Sequence, residues 1–254
     1  MKIVNVVGAR PQFIKVKPII DELNRREINN LLVHTGQHYD YQMSQIFFDE
    51  LDIPKPDVHL GIGSGSHATQ TAKIMMAFEE TVNEHKPDLV LVVGDVNSTL
   101  ACALVASKLC IPIAHVEAGL RSFDKTMPEE INRIVTDVLS DYLFTTIEEA
   151  NENLKNEGIA ENKMFLVGNI MVDTLLRYKD KAESTPVLSE LGLEKKSYAL
   201  MTLHRQANAD IKENLVNILG AIEKIQSKIN VVLAMHPRTK ARIDEFGLGE
   251  NVSS

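Results

Sequence analysis

The sequence predicts an α/β fold built on a doubly wound parallel sheet. Apolar runs of strand length alternate with longer segments in which apolar residues recur at helical spacing. A glycine or a polar residue follows each of these apolar runs, and the carboxyl ends of parallel strands are where such sheets bind ligands. The 254 residues, 44% hydrophobic and 24% charged, suffice for one large domain or two modest ones.

The order of the predicted elements divides the chain into two parts. Predicted strands cover residues 2–7, 31–35, 88–93, 112–116, 141–145 and 163–167, and a helix follows at about 171–179. Residues 181–196 are polar and include a proline, which is typical of an interdomain linker. Two more strands are expected at 198–203 and 231–235. We therefore expect a Rossmann-like domain over residues 1–180 and an incomplete second one over residues 197–254.

Charge and composition exclude several classes of protein. The net charge of −8 argues against nonspecific binding to nucleic acid or to anionic membranes. No apolar run approaches the roughly 18 residues of a membrane span, and the first run is too short for a signal peptide. We expect a cytoplasmic protein. Cys102 and Cys110 lack the spacing of metal ligands, and we expect both thiols to be buried and inert.

Two carboxylates are expected at the same edge of the sheet. Glu117 ends the apolar run over residues 111–116, and Glu129 follows Pro128 in the first turn of a helix. The residues predicted to bury one side of that helix are Ile131, Ile134, Val135, Val138, Leu139 and Tyr142. In the alternative interpretation, Glu117 is a paired edge carboxylate and Glu129 only complements the helix dipole. The residues alone leave both interpretations open.

Asp95 is a third candidate carboxylate. It closes the apolar run over residues 89–94, and Asn97, Ser98 and Thr99 follow it as better placed caps for the next helix. A capping role for Asp95 itself is the alternative. Three carboxylates around one cavity would repel each other, which favours a proton on at least one of them at neutral pH. Such a set supplies both a base and an acid.

The loop after the first strand predicts a diphosphate clamp. Its helix would present unpaired backbone N–H groups, and Arg10 and Lys15 add positive charge. The loop lacks the G-x-G-x-x-G pattern of nicotinamide cofactor sites. In the alternative interpretation, Arg10 pairs with a sheet carboxylate and Lys15 is solvated. Gln70, in the first turn of a later helix, is a candidate contact for a sugar.

Six motifs, in this order, resemble those of the non-hydrolysing UDP-N-acetylglucosamine 2-epimerases. They are Gly8-Ala9-Arg10-Pro11-Gln12-Phe13-Ile14-Lys15, Thr35-Gly36-Gln37-His38, Gly94-Asp95-Val96-Asn97-Ser98-Thr99, His115-Val116-Glu117-Ala118-Gly119-Leu120-Arg121 with Pro128-Glu129-Glu130-Ile131-Asn132-Arg133, Val167-Gly168-Asn169, and Thr202-Leu203-His204-Arg205. The resemblance extends to about residue 238. It implies a GT-B-like two-domain architecture and a homodimer.

The resemblance also implies roles for individual residues. It makes His204 the active-site histidine of a Thr-x-His-Arg motif, and Arg205 and Arg121 substrate-binding residues. Gln37 and His38 correspond to a segment that helps hold an extra, activating substrate molecule in bacterial members of the family. For that segment, a turn that packs the tyrosines after it is the alternative interpretation.

The chemistry implied by the resemblance is inversion at C2 of UDP-N-acetylglucosamine to give UDP-N-acetylmannosamine. The C2 hydrogen is not adjacent to a carbonyl, so the C1–O bond must break first. UDP leaves, a carboxylate takes the C2 proton, and a second acid returns a proton to the other face of the 2-acetamidoglucal before UDP re-adds. Neither a redox cofactor nor a metal is required. Alternatives are a diacetamido uronic substrate, a GT-B glycosyltransferase, or an inactive nucleotide-sugar-binding fragment.

The sequence departs from the family pattern in two places. The segment after His204 reads Arg-Gln-Ala-Asn-Ala in place of the usual Arg-x-x-Asn-Val or Arg-x-Glu. The Ser-Gly-Gly-x-Gln-Glu-Glu segment that binds uridine and diphosphate in the family is absent from the 254 residues. We therefore expect a truncated form with little epimerase activity, in which the apolar strand over residues 231–235 is partly unburied.

Overall fold

The chain is described here by a computed structural model over residues 1–37 and 52–249. It divides along the sequence into two compact units, the first ending at Lys179 and the second beginning at Asp180. Each unit contains its own parallel sheet. Among the helices described, none is long and apolar enough to cross a lipid bilayer.

Seven parallel strands form the sheet of the first unit, in the order β3-β2-β1-β4-β5-β6-β7. They are β1 (Lys2–Val7), β2 (Asn29–His34), β3 (Val58–His59), β4 (Leu89–Val93), β5 (Ile113–Ala118), β6 (Tyr142–Thr145) and β7 (Met164–Leu166). The chain winds in one direction from β1 to β3 and in the other from β4 to β7. This order makes the sheet doubly wound, as predicted, with its switch point between β1 and β4.

Helices cover both faces of this sheet. They are α1 (Arg10–Arg25), α2 (His67–His85), α3 (Asn97–Lys108), α4 (Pro128–Leu139), α5 (Glu148–Asn156) and α6 (Ile170–Glu183). Helix α3 packs between α2 and α4 on one face. Helix α6 lies beside α1 on the other face, where Thr174 Oγ1 donates to the Ile14 carbonyl at 2.8 Å.

Alternate residues of the central strands face the two helical layers. Val90 and Val92 of β4 pack with residues of α2 and α3, whereas Leu91 and Val93 pack with residues of α1. Burial on both faces explains why these strands are continuous apolar runs in the sequence. The observed strand boundaries lie within two residues of the predicted ones. The two-residue strand β3 was not predicted, because so short a segment carries no pattern of its own.

The buried side of α4 is not the predicted one. Ile131 is 41% exposed and Val138 57% exposed, and Tyr142 after the helix is 44% exposed. The residues that α4 buries are polar: Glu130, Asn132, Thr136 and Asp137. The prediction of a buried apolar stripe is therefore wrong. The physical reason is that polar groups at the ends of β4 and β5 need hydrogen-bond partners, and α4 provides them.

The two cysteines differ in their environment. Cys102 is fully buried, as predicted, and its burial raises the pKa of its thiol. Cys110 is exposed just after α3 and has a φ of +55°. The prediction of an inert buried thiol is therefore wrong for Cys110, because the chain turns outwards at the end of the helix.

The second unit is small. Its two parallel strands, β8 (Tyr198–Leu203) and β9 (Asn230–Met235), are accompanied by α7 (Val187–Glu190), α8 (Gln206–Ala209), α9 (Lys212–Gln226) and α10 (Pro237–Phe246). Leu215, Leu219 and Ile243 are buried in its core. In the strand over residues 231–235, the first three residues are half-buried, and Ala234 and Met235 are exposed. The expected partial exposure of the apolar strand residues is confirmed.

Candidate functional site

Glu117 occupies a β-bulge near the end of β5. The register with β6 shifts between Val116 and Ala118, and Glu117 has a φ of +73°. This left-handed conformation costs a non-glycine residue on the order of 1 kcal/mol. After the bulge, Ala118 packs with residues next to α5, on the side opposite to Val116. Regular alternation would place Glu117 on the same side as His115, but the bulge turns it towards α1.

Lys15 is the partner of Glu117 on that side. Lys15 lies in the second turn of α1, and its ammonium group forms an ion pair with Glu117 Oε2. The two side chains are only 11% and 18% exposed. Gly94 lies against the pair: a Cβ placed there would be 3.4 Å from Lys15 Nζ and 3.6 Å from Glu117 Oε2. Only glycine leaves this space open at a φ of +68°.

Asp95 follows Gly94 at the end of the neighbouring strand. Its Oδ2 accepts a hydrogen bond from Arg133 Nε at 3.0 Å, and its backbone carbonyl accepts one from Asn132 Nδ2 at 2.8 Å. The carboxylate is 33% exposed. Asp95 and Glu117 thus each have their own cation. Each of the two carboxylates is therefore charge-compensated by a neighbouring side chain.

Glu129 and Glu130 have different environments in the first turn of α4. Glu129 is exposed, one turn before Asn132 and Arg133. Glu130 is buried, and it accepts hydrogen bonds from the Ser122 N–H at 3.0 Å and the Phe123 N–H at 2.9 Å.

Burial would raise the pKa of Glu130, but its hydrogen bonds with Ser122 and Phe123 and the charge of Arg133 lower the pKa below its usual value. Glu130 orders the loop before α4, a role that was not predicted from the sequence. The available signal was its position: Glu130 is the third residue of α4, from which a glutamate side chain can accept hydrogen bonds from N–H groups before the helix.

The loop before α1 differs from the predicted clamp. The N–H groups of Gly8 and Ala9 both donate to Gln12 Oε1, at 2.6 and 3.0 Å. Pro11 has no N–H group, and the Gln12 N–H donates to the Ala9 carbonyl at 3.0 Å. These backbone donors are therefore occupied within the protein, and an anion clamp at this turn depends on cationic side chains such as Lys15.

Gln37 and Gln70 both connect loops to the start of α3. Gln37 Oε1 accepts hydrogen bonds from the Ser98 N–H at 3.0 Å and the Ser98 hydroxyl at 2.6 Å. Gln70 Oε1 accepts one from Asn97 Nδ2 at 2.9 Å, and Gln70 Nε2 donates to the Gly63 carbonyl at 2.9 Å. His38 lies outside the described residues.

The cap of α3 is therefore not the predicted one. Asn97 and Ser98 lie inside the helix, whose N-cap residue is Val96, and the Gln37 side chain satisfies a first-turn N–H group. The difference arises from the tertiary structure, because Gln37 lies after a different strand, β2.

The Arg121 side chain is buried and paired with acidic groups. Its side chain is 1% exposed, and its guanidinium group binds Asp137, Glu157 and the Leu120 carbonyl. Burial would lower the pKa of Arg121, but the hydrogen bonds and charges of Glu157 and Asp137 raise it above its usual value. His115 and Asp137, also fully buried, are in contact with each other. In this arrangement Arg121 supports the loop after β5.

A cavity of about 250 Å³ lies beside Glu117 on the α1 face. Its walls include Ile19 of α1 and Val116 and Phe144 of the sheet, and polar groups are contributed by Glu117 and Asp173. The cavity therefore combines an apolar lining with a carboxylate near the strand ends, a composition typical of small-molecule sites.

His204 and Arg205 belong to the second unit, where they follow β8 and are exposed. The His204 ring lies 5.7 Å from the His236 ring, measured between centroids. His236 follows β9, and its Nδ1 accepts a hydrogen bond from the Arg238 N–H at 3.2 Å. The two histidines thus mark the carboxyl edge of the second sheet.

The chain is similar to several known proteins. A family model described as UDP-N-acetylglucosamine 2-epimerase matches residues 21–252. A Methanococcus maripaludis protein named UDP-N-acetylglucosamine 2-epimerase homolog is 52% identical, over 100% of this chain and 71% of that protein. The UDP-2,3-diacetamido-2,3-dideoxy-D-glucuronate 2-epimerase of Pseudomonas aeruginosa is 47% identical, over 98% of this chain and 70% of its own length.

A solved structure is also similar over the whole chain. The crystal structure of Methanocaldococcus jannaschii UDP-GlcNAc 2-epimerase in complex with UDP-GlcNAc and UDP aligns with a TM-score of 0.91 at 47% identity. The alignment covers 100% of this chain and 71% of that one.

Proposed function

Because this chain belongs to the UDP-N-acetylglucosamine 2-epimerase family, we propose that it interconverts UDP-GlcNAc and UDP-ManNAc by inverting C2. One observation carries the proposal: two carboxylates, Glu117 and Asp95, lie at the carboxyl ends of adjacent strands, and each is paired with its own cation. An inversion needs one group to remove a proton and another to return it.

In the proposed reaction, the C1–O bond breaks with its electron pair leaving on UDP. The C2 proton passes to one carboxylate, and the 2-acetamidoglucal forms. A second acid, from among Asp95, Glu117 and Glu129, then protonates C2 on the opposite face, and a UDP oxygen attacks C1 to restore the glycosidic bond. Each proton transfer of this kind contributes about 10²- to 10⁴-fold to the rate.

The departing diphosphate is negatively charged, and Lys15 is the cation nearest to Glu117 in the described site. We assign Lys15, together with Arg10, to stabilising this charge. A catalytic role of His204 and substrate binding by Arg205 stay predictions. Substrate contacts by Gln70 and Arg121, and a regulatory role of Gln37 and His38, stay predictions.

A second substrate is supported by one comparison. The Pseudomonas aeruginosa relative, named for a UDP-diacetamido-dideoxy-glucuronate, is as similar to this chain as the Methanocaldococcus enzyme, at 47% identity. A diacetamido uronic sugar nucleotide is therefore the alternative substrate, and the reaction at C2 is the same for both.

The test is incubation of the 254-residue chain with UDP-GlcNAc in deuterium oxide, with the Methanocaldococcus enzyme as positive control. We expect deuterium at C2 and a mixture of two epimers in the NMR spectrum, formed more slowly than by the control enzyme. Transfer of the sugar without a C2 label would indicate a glycosyltransferase. A second incubation uses the diacetamido uronic sugar nucleotide. Absence of any C2 label in both incubations, while the control exchanges UDP-GlcNAc, would contradict the proposal.

We also propose that the protein is a cytoplasmic homodimer. The exposed apolar residues of α4, such as Ile131 and Val138, form a surface whose burial against a second copy is favourable. The exposed free thiol of Cys110 suits a reducing compartment.

A further inference from the structure

Four side chains form a hydrogen-bonded chain next to Glu117, of which His115, Asp137 and Arg121 are buried and Glu157 is exposed. His115 Nδ1 lies 2.6 Å from Asp137 Oδ1, and Arg121 Nη1 donates to Asp137 Oδ2 at 2.8 Å. Arg121 also binds Glu157, through Nε at 2.7 Å and Nη2 at 2.5 Å. Burial would raise the pKa of Asp137, but His115 and Arg121 lower it below its usual value. Asp137 is therefore a carboxylate.

Both ring nitrogens of His115 face hydrogen-bond acceptors. Nδ1 faces the Asp137 carboxylate, and Nε2 lies 2.8 Å from the Gly94 carbonyl oxygen. A neutral imidazole has a single N–H group and would leave one of these contacts without a proton, whereas an imidazolium donates to both.

The Asp137 carboxylate contacts residues on both sides of Glu117. Asp137 binds the ring of His115 through Oδ1, and its Oδ2 accepts a hydrogen bond from the Gly119 N–H at 3.1 Å. Gly119 has a φ of +79°, and a Cβ placed there would lie 2.5 Å from the Ala150 carbonyl oxygen. Asp137 thus bridges the residues two before and two after the bulge.

His115 also fixes the peptide that precedes Asp95. The Gly94 carbonyl binds His115 Nε2, and the Gly94 N–H donates to the Val116 carbonyl at 3.0 Å. Both polar backbone atoms of Gly94 are therefore bound to β5, the strand that carries Glu117. The position of Asp95 relative to Glu117 follows from these two hydrogen bonds.

We propose that His115 is an imidazolium at neutral pH and a positioning residue, which together with Asp137 holds Glu117 in its strained conformation and sets its distance from Asp95. The inference rests on the proposed function, since it assigns proton transfer to these two carboxylates. Because His115 is fully buried, it affects the reaction through Glu117 and Asp95 and does not contact the substrate.

The protonation of His115 is measured directly by NMR on the unsubstituted chain, labelled with nitrogen-15 histidine and assigned through the backbone. We expect proton-bearing Nδ1 and Nε2 at pH 7, with slow exchange of both protons. A neutral ring at that pH would overturn the proposal. This measurement depends neither on activity nor on the folding of a variant.

The positioning role is measured in His115→Asn, with His85→Asn as the matched control, since His85 lies beside Lys2 at the opposite edge of the sheet. In His115→Asn we expect the amide resonances of Asp95 and Glu117 to shift, C2 deuterium exchange to slow at least about tenfold, and UDP affinity to stay within about twofold. The control should show none of these changes.

Unshifted Asp95 and Glu117 resonances, or wild-type exchange in His115→Asn, would overturn the positioning role. If the unsubstituted chain shows no exchange, the proposed function fails while the resonance shifts still decide the role of His115. If His115→Asn does not fold, Asp137→Asn provides the same readouts, because it removes the charge that holds the imidazolium.

Discussion

Lys15 and Glu117 form a nearly buried ion pair although 102 positions separate them in the sequence. Two structural features bring them together: the second turn of α1 follows the first strand, and the β-bulge turns Glu117 to the α1 face. The pair lies against Gly94 and next to Asp95.

Removal of either strand-end carboxylate should slow the chemical step. Glu117→Gln and Asp95→Asn each keep the side-chain size but remove a proton-transfer group, so turnover should fall by at least about 10²-fold. Glu129→Gln should behave in the same way if its first-turn position reaches the sugar. The measurement is the rate of C2 deuterium incorporation. Glu148→Gln, in the exposed first turn of α5, is the matched control, and wild-type rates in all three variants would contradict the assignment.

Loss of the Lys15 ammonium group should weaken UDP binding. In Lys15→Ala we expect the dissociation constant measured by calorimetry to rise at least about tenfold, because a charge-assisted contact with phosphate is lost. Lys17→Ala is the matched control: Lys17 is on the same helix, is buried and pairs with Asp21 at 2.6 Å. Equal affinities of the two variants would place the diphosphate elsewhere.

Acid should destabilise the first unit. The native pKa values of Asp137 and Glu130 lie below their usual values, because neighbouring donors and cations outweigh the effect of burial. A carboxyl group of this kind binds fewer protons in the folded state. Its stabilisation is complete above the unfolded pKa of about 4 and is lost as the pH falls through the native pKa.

Urea unfolding between pH 7 and acid checks this dependence. We expect the free energy of unfolding to fall below about pH 4, and to fall less steeply in Glu130→Gln than in the wild type. If the free energy of unfolding falls with pH as steeply in Glu130→Gln as in the wild type, groups other than Glu130 cause the acid sensitivity.

A charge on the apolar face of α4 should separate a dimer. Val138 is 57% exposed, so Val138→Glu should leave the fold intact but make association unfavourable. Light scattering after size exclusion gives the mass directly. A dimeric wild type and a monomeric variant are expected, whereas a monomeric wild type would contradict the proposed homodimer.

The proposed domain boundary near residue 180 predicts a protease-resistant fragment. Helix α6 continues to Glu183, and α7 starts at Val187, so we expect limited proteolysis to cut between these helices. Mass spectrometry of the resistant fragment gives its end. A first cut inside β1–β7 would contradict an independent amino-terminal domain.

The sequence by itself determined the fold class and the order of the elements. Strands buried on both faces must be continuous apolar runs, and their polar ends mark the ligand edge, so Glu117 and Asp95 were identifiable from neighbouring residues alone. The start of α4 at Pro128 was also predictable from the local sequence, because proline is favoured at a first helical position without any distant partner.

Only the tertiary structure decided the orientation and partners of these groups. The bulge at Glu117, the bond from Gln37 to Ser98 and the polar buried side of α4 all depend on residues that arrive from other strands and helices. Hydrophobic periodicity describes how apolar area is buried, but it contains no information on which distant donor satisfies a buried acceptor. For this reason the apolar pattern on α4 predicted the wrong buried side. The contacts of Asp137 were likewise evident only from the structure.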